Sequence, residues 1–247
     1  MSTTDTATAG TATATAGTPN EPDATGGQNE PDAAGEPDAM GSALERLLDL
    51  ARGPLGPRVE LDLGTDRGPL AELAALLGRM NGFFAFNGGI QVYRVGDEGL
   101  GPELLDWNGA DTWKSSYRGL ADPVFCFGQD LFGVQFGIVD GTRVVSFDPE
   151  TAATDDLGDS LEDWAAWLLA DPDVNGAHSF AHAYMQANGP LPVDRRLVPR
   201  QPFVLGGGYT HDNLRPEDAA TAMRLRGPLV HAVRDLPDGS RIKLTVE

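Results

Sequence analysis

Two histidines, His178 and His182, are four residues apart in the segment "GAHSFAHAYMQANG". This spacing would place both imidazoles on one face of a helix, as many metal sites require. The glutamate of a zinc-protease motif does not stand between them, and no third histidine or cysteine ligand lies nearby in the sequence. We therefore interpret them as ordinary core or surface histidines and predict no metal site.

Other side chains that take part in catalysis or phosphate binding in many proteins lack the companions they would need here. The glycines 206–208 have no lysine and hydroxyl residue at phosphate-loop spacing, so we interpret "LGGGYT" as a turn after a strand. Cys126, the only cysteine, lies in an apolar stretch typical of a buried, inert thiol. Arg195 and Arg196 could hold an anion, but a basic pair beside prolines is typical of an exposed surface. The sequence predicts no catalytic residue and no cofactor.

Carboxylates are concentrated in one short stretch that follows a predicted strand. Five of them fall within nine residues, next to a helix N-terminus whose dipole favours negative charge: Asp155, Asp156, Asp159, Glu162 and Asp163. Such residues could form a face that binds a basic protein. They could equally be a solvated loop followed by charges that only stabilise the helix end. Both interpretations stay open, and we name these five as the predicted partner-binding residues.

The first forty residues have the composition of a disordered tail. They contain threonine, alanine, glycine and proline with seven acidic residues, and no Lys, Arg, Phe, Tyr, Trp, Leu or Ile. Such a segment cannot bury enough apolar area to offset the entropy of ordering it. "EPDA" occurs there three times, which indicates either a repeated short motif or low-complexity drift. We predict a disordered acidic tail over residues 1–40 and one folded domain over 41–247.

The charge balance limits the class of partner. The net charge is −19, and the seven acids of the tail leave about −12 on the predicted domain. Nucleic-acid binding requires a basic surface, so it is excluded, whereas a basic protein partner fits. No basic, apolar signal peptide and no run of eighteen apolar residues appears. We expect a soluble cytoplasmic protein that does not bind membranes.

The pattern of apolar residues, caps and turns predicts α+β structure with a mainly antiparallel sheet. Predicted helices cover 43–53, 68–82, 161–170, 176–189 and 215–236, the last bent at Gly227 and Pro228. Predicted strands cover 58–63, a hairpin at 83–95, a meander of 124–130, 132–140 and 143–148, and a final strand within 237–247. Residues 148–159 are predicted to be a loop and 190–209 a proline-rich connector. We expect Trp164 to pack its helix onto the meander through Phe136 and Phe147.

The order of these elements resembles the SUKH superfamily, the Smi/Knr-type proteins. The similarity depends on a glycine-bracketed aromatic strand, the segment "DGTRVVSFDPET" and the helix start "SLEDWAAWLL". The matching positions are Gly128, Phe132, Gly133, Gly141, Val144, Phe147, Asp148, Glu150 and Trp164. The segment "NGFFAFNGGIQVY" and residues 189–247 also resemble the family. The resemblance implies a single SUKH-like domain that binds proteins and brings no catalytic residues.

Many bacterial members of that superfamily are regarded as immunity proteins against toxins, and fungal members as regulators. The resemblance therefore implies an immunity or regulatory protein whose partner could be a basic toxin domain. Two alternatives stay open: an adaptor that works mainly through its tail, and an enzyme with an unrecognised acidic or histidine site.

Overall fold

A computed structural model describes residues 42–236 of the 247-residue chain. The predicted tail over 1–40 and the predicted final strand within 237–247 lie outside the described residues. The described part combines six α-helices with a six-stranded sheet and a two-stranded sheet. The predicted α+β class with a mainly antiparallel sheet is confirmed.

The main sheet is an antiparallel meander in which the strand order follows the chain order. Its strands are β1 Phe83–Ala85, β2 Ile90–Val92, β3 Val124–Asp130, β4 Gln135–Val139, β5 Arg143–Phe147 and β6 Thr154–Gly158. The second sheet pairs β7 Arg195–Pro199 with β8 Leu214–Asp218. The helices are α1 Ala43–Asp49, α2 Gly68–Arg79, α3 Leu104–Asn108, α4 Leu161–Ala170, α5 His178–Asn188 and α6 Ala219–Val233.

Local sequence signals account for the turns of the meander and for the start of α4. Asn87 and Gly88 both adopt positive φ between β1 and β2, and Asp140 and Gly141 do the same between β4 and β5. These are the residue types that tolerate the left-handed conformation of a tight hairpin. The Ser160 hydroxyl accepts the N–H of Asp163, as a helix cap should. The predicted hairpin, meander and capped helix are confirmed.

The sheet is covered on both faces, which alters one predicted contact. Residues opposite each other in the β4–β5 register share a face, so Phe147 points with Gln135 while Phe136 points the other way. Phe136 lies 5.6 Å from Trp164 between ring centroids, as expected. Phe147 instead contacts Trp113 and Tyr117 on the opposite face. The prediction that both phenylalanines meet Trp164 was therefore wrong for Phe147.

Four predictions of secondary structure were also wrong. Residues 58–63 form no strand, although their alternating apolar side chains do pack against the core. The predicted loop before α4 contains β6, because its polar residues pair with β5 at the edge of the sheet, where charged side chains are tolerated. The proline-rich connector contains β7. Helix α6 begins at Ala219 rather than Arg215, because the preceding five residues pair with β7, and it continues through Pro228.

Two apolar clusters hold these elements together. The larger lies on the main sheet beneath helices α1, α2, α4 and part of α6. The smaller lies where α5 and the two-stranded sheet meet the turn after β3, and it contains Leu131, Ala181, Tyr184, Leu197 and Leu214. Residues of the β3–β4 turn and of the β5–β6 turn line one cavity together with Arg226 of α6 and residues from 203–209, the segment before β8.

Candidate functional site

The five predicted partner-binding carboxylates lie on β6, on the turn that follows it and on the first turn of α4. We call this stretch the acidic segment (155–163). Asp155 and Asp156 are exposed on β6, the edge strand of the main sheet, and Asp159 is exposed in the following turn. Within residues 42–236, no backbone hydrogen bond joins β6 to any segment other than β5. The acidic segment therefore borders a free sheet edge of the described part of the chain.

Three of the five carboxylates have structural contacts. Glu162 accepts the N–H groups of Ala43 and Leu44, so it caps the start of helix α1 from across the molecule. Asp163 accepts the Ser160 hydroxyl at 2.6 Å and the N–H of Asp159 at 3.1 Å. Asp156 accepts the N–H of Gly158 at 2.9 Å, which shapes the turn after β6. The side chains of Asp155 and Asp159 make no hydrogen bond within the described residues.

A cavity of about 360 Å³ opens beside the turn that precedes β6, and we call it the aromatic pocket. Phe203 and Tyr209 stack with centroids 3.9 Å apart, and Phe132 meets Tyr209 edge to face at 5.0 Å. Tyr209 is 58% exposed, so this wall faces solvent. Asp148, Glu150 and Thr151 form the opposite side. Aromatic walls beside a few polar groups are the usual composition of a binding pocket.

The floor of the aromatic pocket is a buried ion pair between Arg226 of α6 and Glu150. The Arg226 Nε atom is 3.8 Å from Glu150 Oε1, and both side chains are about 5% exposed or less. All three guanidinium nitrogens of Arg226 lack a hydrogen-bond partner among the described residues. The other Glu150 oxygen accepts the N–H of Val204 at 2.9 Å. Burial raises the pKa of Glu150 despite that hydrogen bond and the charge of Arg226.

The β3–β4 turn is shaped to let Arg226 approach. Gly133 has φ +87°, and a Cβ atom there would lie 2.8 Å from Arg226 Nη1. Asp130 accepts the N–H groups of Phe132 and Val134, both at 2.8 Å, which fixes the same turn. Burial raises the pKa of Asp130 to about 6, against the opposing effects of those N–H groups and of two arginines. The pocket can therefore offer donors from Arg226 and acceptors from carboxylates.

The sequence interpretation missed this pocket because its residues come from four separate segments. Three of them, Phe132, Asp148 and Glu150, belong to the sequence pattern that resembles the Smi/Knr-type proteins, a pattern that predicts the fold rather than a site. The sequence signals at these positions were a glycine directly after Phe132 and the two acidic residues, Asp148 and Glu150, that follow strand β5. Nothing in the local sequence connected them to Arg226 or Tyr209.

The remaining chemical candidates lie apart from the pocket. His178 and His182 are on α5, where His178 lies 3.9 Å from Asp173 and His182 contacts Gln186. Within residues 42–236 no three His, Cys, Asp or Glu side chains are grouped so as to hold a metal. Cys126 is buried in β3, and burial raises the pKa of its thiol to about 12.

Two sequence interpretations near the second sheet were wrong. Arg196 is not exposed, because it lies in β7 beneath neighbouring elements at 1% exposure. The glycines 206–208 follow a short 3₁₀ helix, Phe203–Leu205, rather than a strand. Gly206 takes the left-handed conformation that ends this helix. Phe203 before it and Tyr209 after it both line the aromatic pocket.

Comparison with known proteins identifies no family for this chain. No protein-family model matches the chain, and no curated protein matches it. One solved structure that it resembles is the crystal structure of Atu4351 from Agrobacterium tumefaciens, with 13% sequence identity and a TM-score of 0.45. The match covers 74% of this chain and 87% of that one. Within the described part, none of the helices has the length and apolar character needed to cross a membrane.

Proposed function

We propose that this chain is a non-catalytic binding domain that recognises a basic protein partner. The observation that carries the proposal is the aromatic pocket, where the exposed ring of Tyr209 and the partly exposed rings of Phe132 and Phe203 stand beside the turn 148–151. Tyrosine and arginine anchors in such pockets supply much of the energy of protein interfaces. A lysine or arginine of a partner would find the exposed ring of Tyr209 there, with the partly exposed carboxylate of Asp148 beside it.

The acidic segment extends this surface. The chain runs from the pocket through the turn 148–153, which the N–H of Asp148 closes onto the carbonyl of Ala153, directly into β6. Carboxylates at the rim of an interface mainly accelerate association with an oppositely charged partner. Because Glu162 and Asp163 have structural contacts, we assign the largest effect on association to Asp155 and Asp159.

The acidic residues also have an explanation that needs no partner. Charged side chains on an edge strand prevent the strand from pairing with a second copy of the chain. The two explanations predict different results, because only the binding role makes partner affinity depend on these charges. The exposed ring of Tyr209 in the aromatic pocket is not explained by protection of the edge.

The type of partner follows from the sequence resemblance and the charge. Immunity or regulatory proteins of the Smi/Knr type bind other proteins, and a net charge of −19 suits a basic toxin domain. We therefore propose an immunity or regulatory role and a cytoplasmic location.

The first experiment compares two sets of charge reversals. Proteins from a lysate of the source organism are captured on the full-length chain, on Asp155→Lys/Asp156→Lys/Asp159→Lys, and on a control that reverses Asp97, Glu98 and Asp111. All six residues are exposed, and each variant replaces three carboxylates by lysine, so the two variants have equal net charge. A partner that binds the parent and the control but is lost from the acidic-segment variant supports the proposal. If all three proteins retain the same partner equally, the acidic segment is not part of the binding surface.

The second experiment tests the aromatic pocket itself. Tyr209→Ser removes the exposed ring, and Leu105→Ser, which removes a similarly exposed apolar side chain elsewhere, is the control. We expect partner affinity to fall at least about tenfold for Tyr209→Ser and little for the control, as truncation of an interface anchor would do. Unchanged affinity in the Tyr209 variant would overturn the pocket as the binding site.

A further inference from the structure

A second cavity, of about 160 Å³, lies between the β1–β2 hairpin, helix α5 and strand β7. Most of its lining is apolar or aromatic and includes Phe84, Leu131, Tyr184 and Met185. Two arginines, Arg52 and Arg196, are also among the lining residues, and no aspartate or glutamate is. We call it the arginine cavity. Two positive charges against an apolar wall are unusual on a chain with a net charge of −19.

Arg196 is held in place by hydrogen bonds to neutral acceptors. Its Nη1 atom donates to the carbonyl of Arg195 at 2.6 Å, and Nη2 donates to the Gln91 side chain. Its guanidinium carbon lies 5.5 Å from the centroid of the Phe84 ring. The Nε atom has no hydrogen-bond partner, and no carboxylate of the described residues lies within 4.0 Å.

A fully buried charge of this kind lacks the counter-ion that it requires. Burying an ion costs several kcal/mol unless a nearby opposite charge and hydrogen bonds compensate it. Burial lowers the pKa of Arg196 to about 10; Tyr93, Asp130 and Asp194 oppose this effect, but neither carboxylate lies within 4.0 Å of the guanidinium group. The side chain is therefore charged at neutral pH but only partly compensated by the chain itself.

Arg52 provides a second positive charge at the exposed rim of the same cavity. Its backbone is fixed by two hydrogen bonds to Phe84, at 2.7 and 2.9 Å, which extend the edge of β1. Its side chain forms no ion pair within residues 42–236. An anion in the cavity would therefore meet positive charge from two lining residues.

We propose that the arginine cavity binds a small organic monocarboxylate, with the carboxylate between Arg52 and Arg196 and an apolar tail against Phe84 and Leu131. Guanidinium groups match the planar geometry of a carboxylate, and such charge-assisted hydrogen bonds are stronger than neutral ones. A cavity of about 150 Å³ can hold a molecule the size of benzene, so the tail has about six carbon atoms or fewer. This site is independent of the aromatic pocket and of a protein partner.

Titration calorimetry of the full-length chain tests the proposal with benzoate, butyrate, neutral benzamide and inorganic phosphate. We expect saturable one-to-one binding of benzoate or butyrate, and benzamide at least about tenfold weaker because it lacks the charge. The absence of saturable binding for both carboxylates up to about 20 mM, where even weak sites are occupied, would overturn the proposal. So would preferential binding of phosphate, because a small tetrahedral ion makes no use of the apolar tail site.

Two variants locate the binding. Arg196→Met removes the buried charge with little change in volume, and Arg52→Gln removes the exposed one without touching the core. We expect benzoate affinity to fall about tenfold or more in the first and severalfold in the second. Arg67→Gln, which removes an exposed arginine elsewhere, should bind as the parent does. If Arg196→Met does not fold, Arg52→Gln decides the question, and parent-like binding by the folded variants would overturn the proposal.

Discussion

The indole of Trp164 meets the ring of Phe127 edge to face, with centroids 5.1 Å apart and planes at 88°. Phe136 contacts the same indole at 5.6 Å from the neighbouring strand. Trp164 is fully buried, so one side chain of α4 joins the helix to two central strands of the sheet. Aromatic pairs in this geometry add stabilisation beyond the apolar area that they bury.

Replacement of Trp164 by alanine should lower the free energy of unfolding by about 3–5 kcal/mol, because it leaves a large cavity between helix and sheet. Trp167→Ala on the same helix is the control, since that indole is only partly buried and should cost less. Urea titration of the three proteins measures both values. If Trp164→Ala equals the parent within error, α4 does not depend on this contact.

Glu162 should matter for stability more than its place among exposed acids indicates. Its carboxylate accepts two N–H groups at the start of α1, and the loss of such a cap costs about 1–2 kcal/mol. Glu162→Ala should therefore destabilise the chain by about that amount. Asp155→Ala, which removes an exposed carboxylate, should stay within about 0.5 kcal/mol of the parent. Equal urea midpoints for both variants would contradict the structural role of Glu162.

The sequence was sufficient to predict the meander because its turns have distinctive residues. Asp140 and Gly141 both need positive φ, and few other residue pairs provide it so readily. The sequence did not predict β6, because aspartates such as Asp155 and Asp156 are depleted in strands. These residues are extended because they pair with the edge of β5. Pairing that the neighbouring strand imposes on unfavourable residues leaves no signal in the composition of the strand itself.

The sites were less predictable than the fold. The position of the acidic segment could be read from its residues, but its contacts could not, since Glu162 caps a helix more than a hundred positions away. Arg196 appeared to belong to an exposed basic pair, because only tertiary packing buries one member of it. Both cavities are assembled from segments that are distant in sequence, so they became visible only in the folded chain.

Gly133 should resist substitution because of two separate effects. Its φ of +87° strains any residue with a Cβ atom, and that atom would also lie 2.8 Å from Arg226 Nη1. Gly64 has a similar φ of +80° but no atom within 4 Å of its Cβ position. Gly64→Ala should cost about 1 kcal/mol from strain alone, and Gly133→Ala should cost more. Equal losses in urea titration would show that the approach of Arg226 imposes no constraint on this turn.

Asp130 should make the stability of the chain depend on pH in an unusual direction. Its pKa rises in the folded state to about 6, so folding favours the protonated carboxyl. The contribution of Asp130 to stability is therefore greatest below pH 4 and is lost as the pH rises through 6. The loss is at most about 3 kcal/mol, since one pKa unit corresponds to about 1.4 kcal/mol.

Asp130→Asn isolates this effect, because the amide oxygen can still accept the N–H groups of Phe132 and Val134. The variant should gain stability relative to the parent between pH 4 and pH 7, as measured by urea titration at each pH. Glu45→Gln should change in the opposite direction, and only below about pH 4.5, since the hydrogen bond from Arg79 lowers the pKa of Glu45 and that stabilisation is lost as the pH falls through the folded value. A constant difference between Asp130→Asn and the parent over this range would show that the carboxyl titrates alike in the folded and unfolded chain.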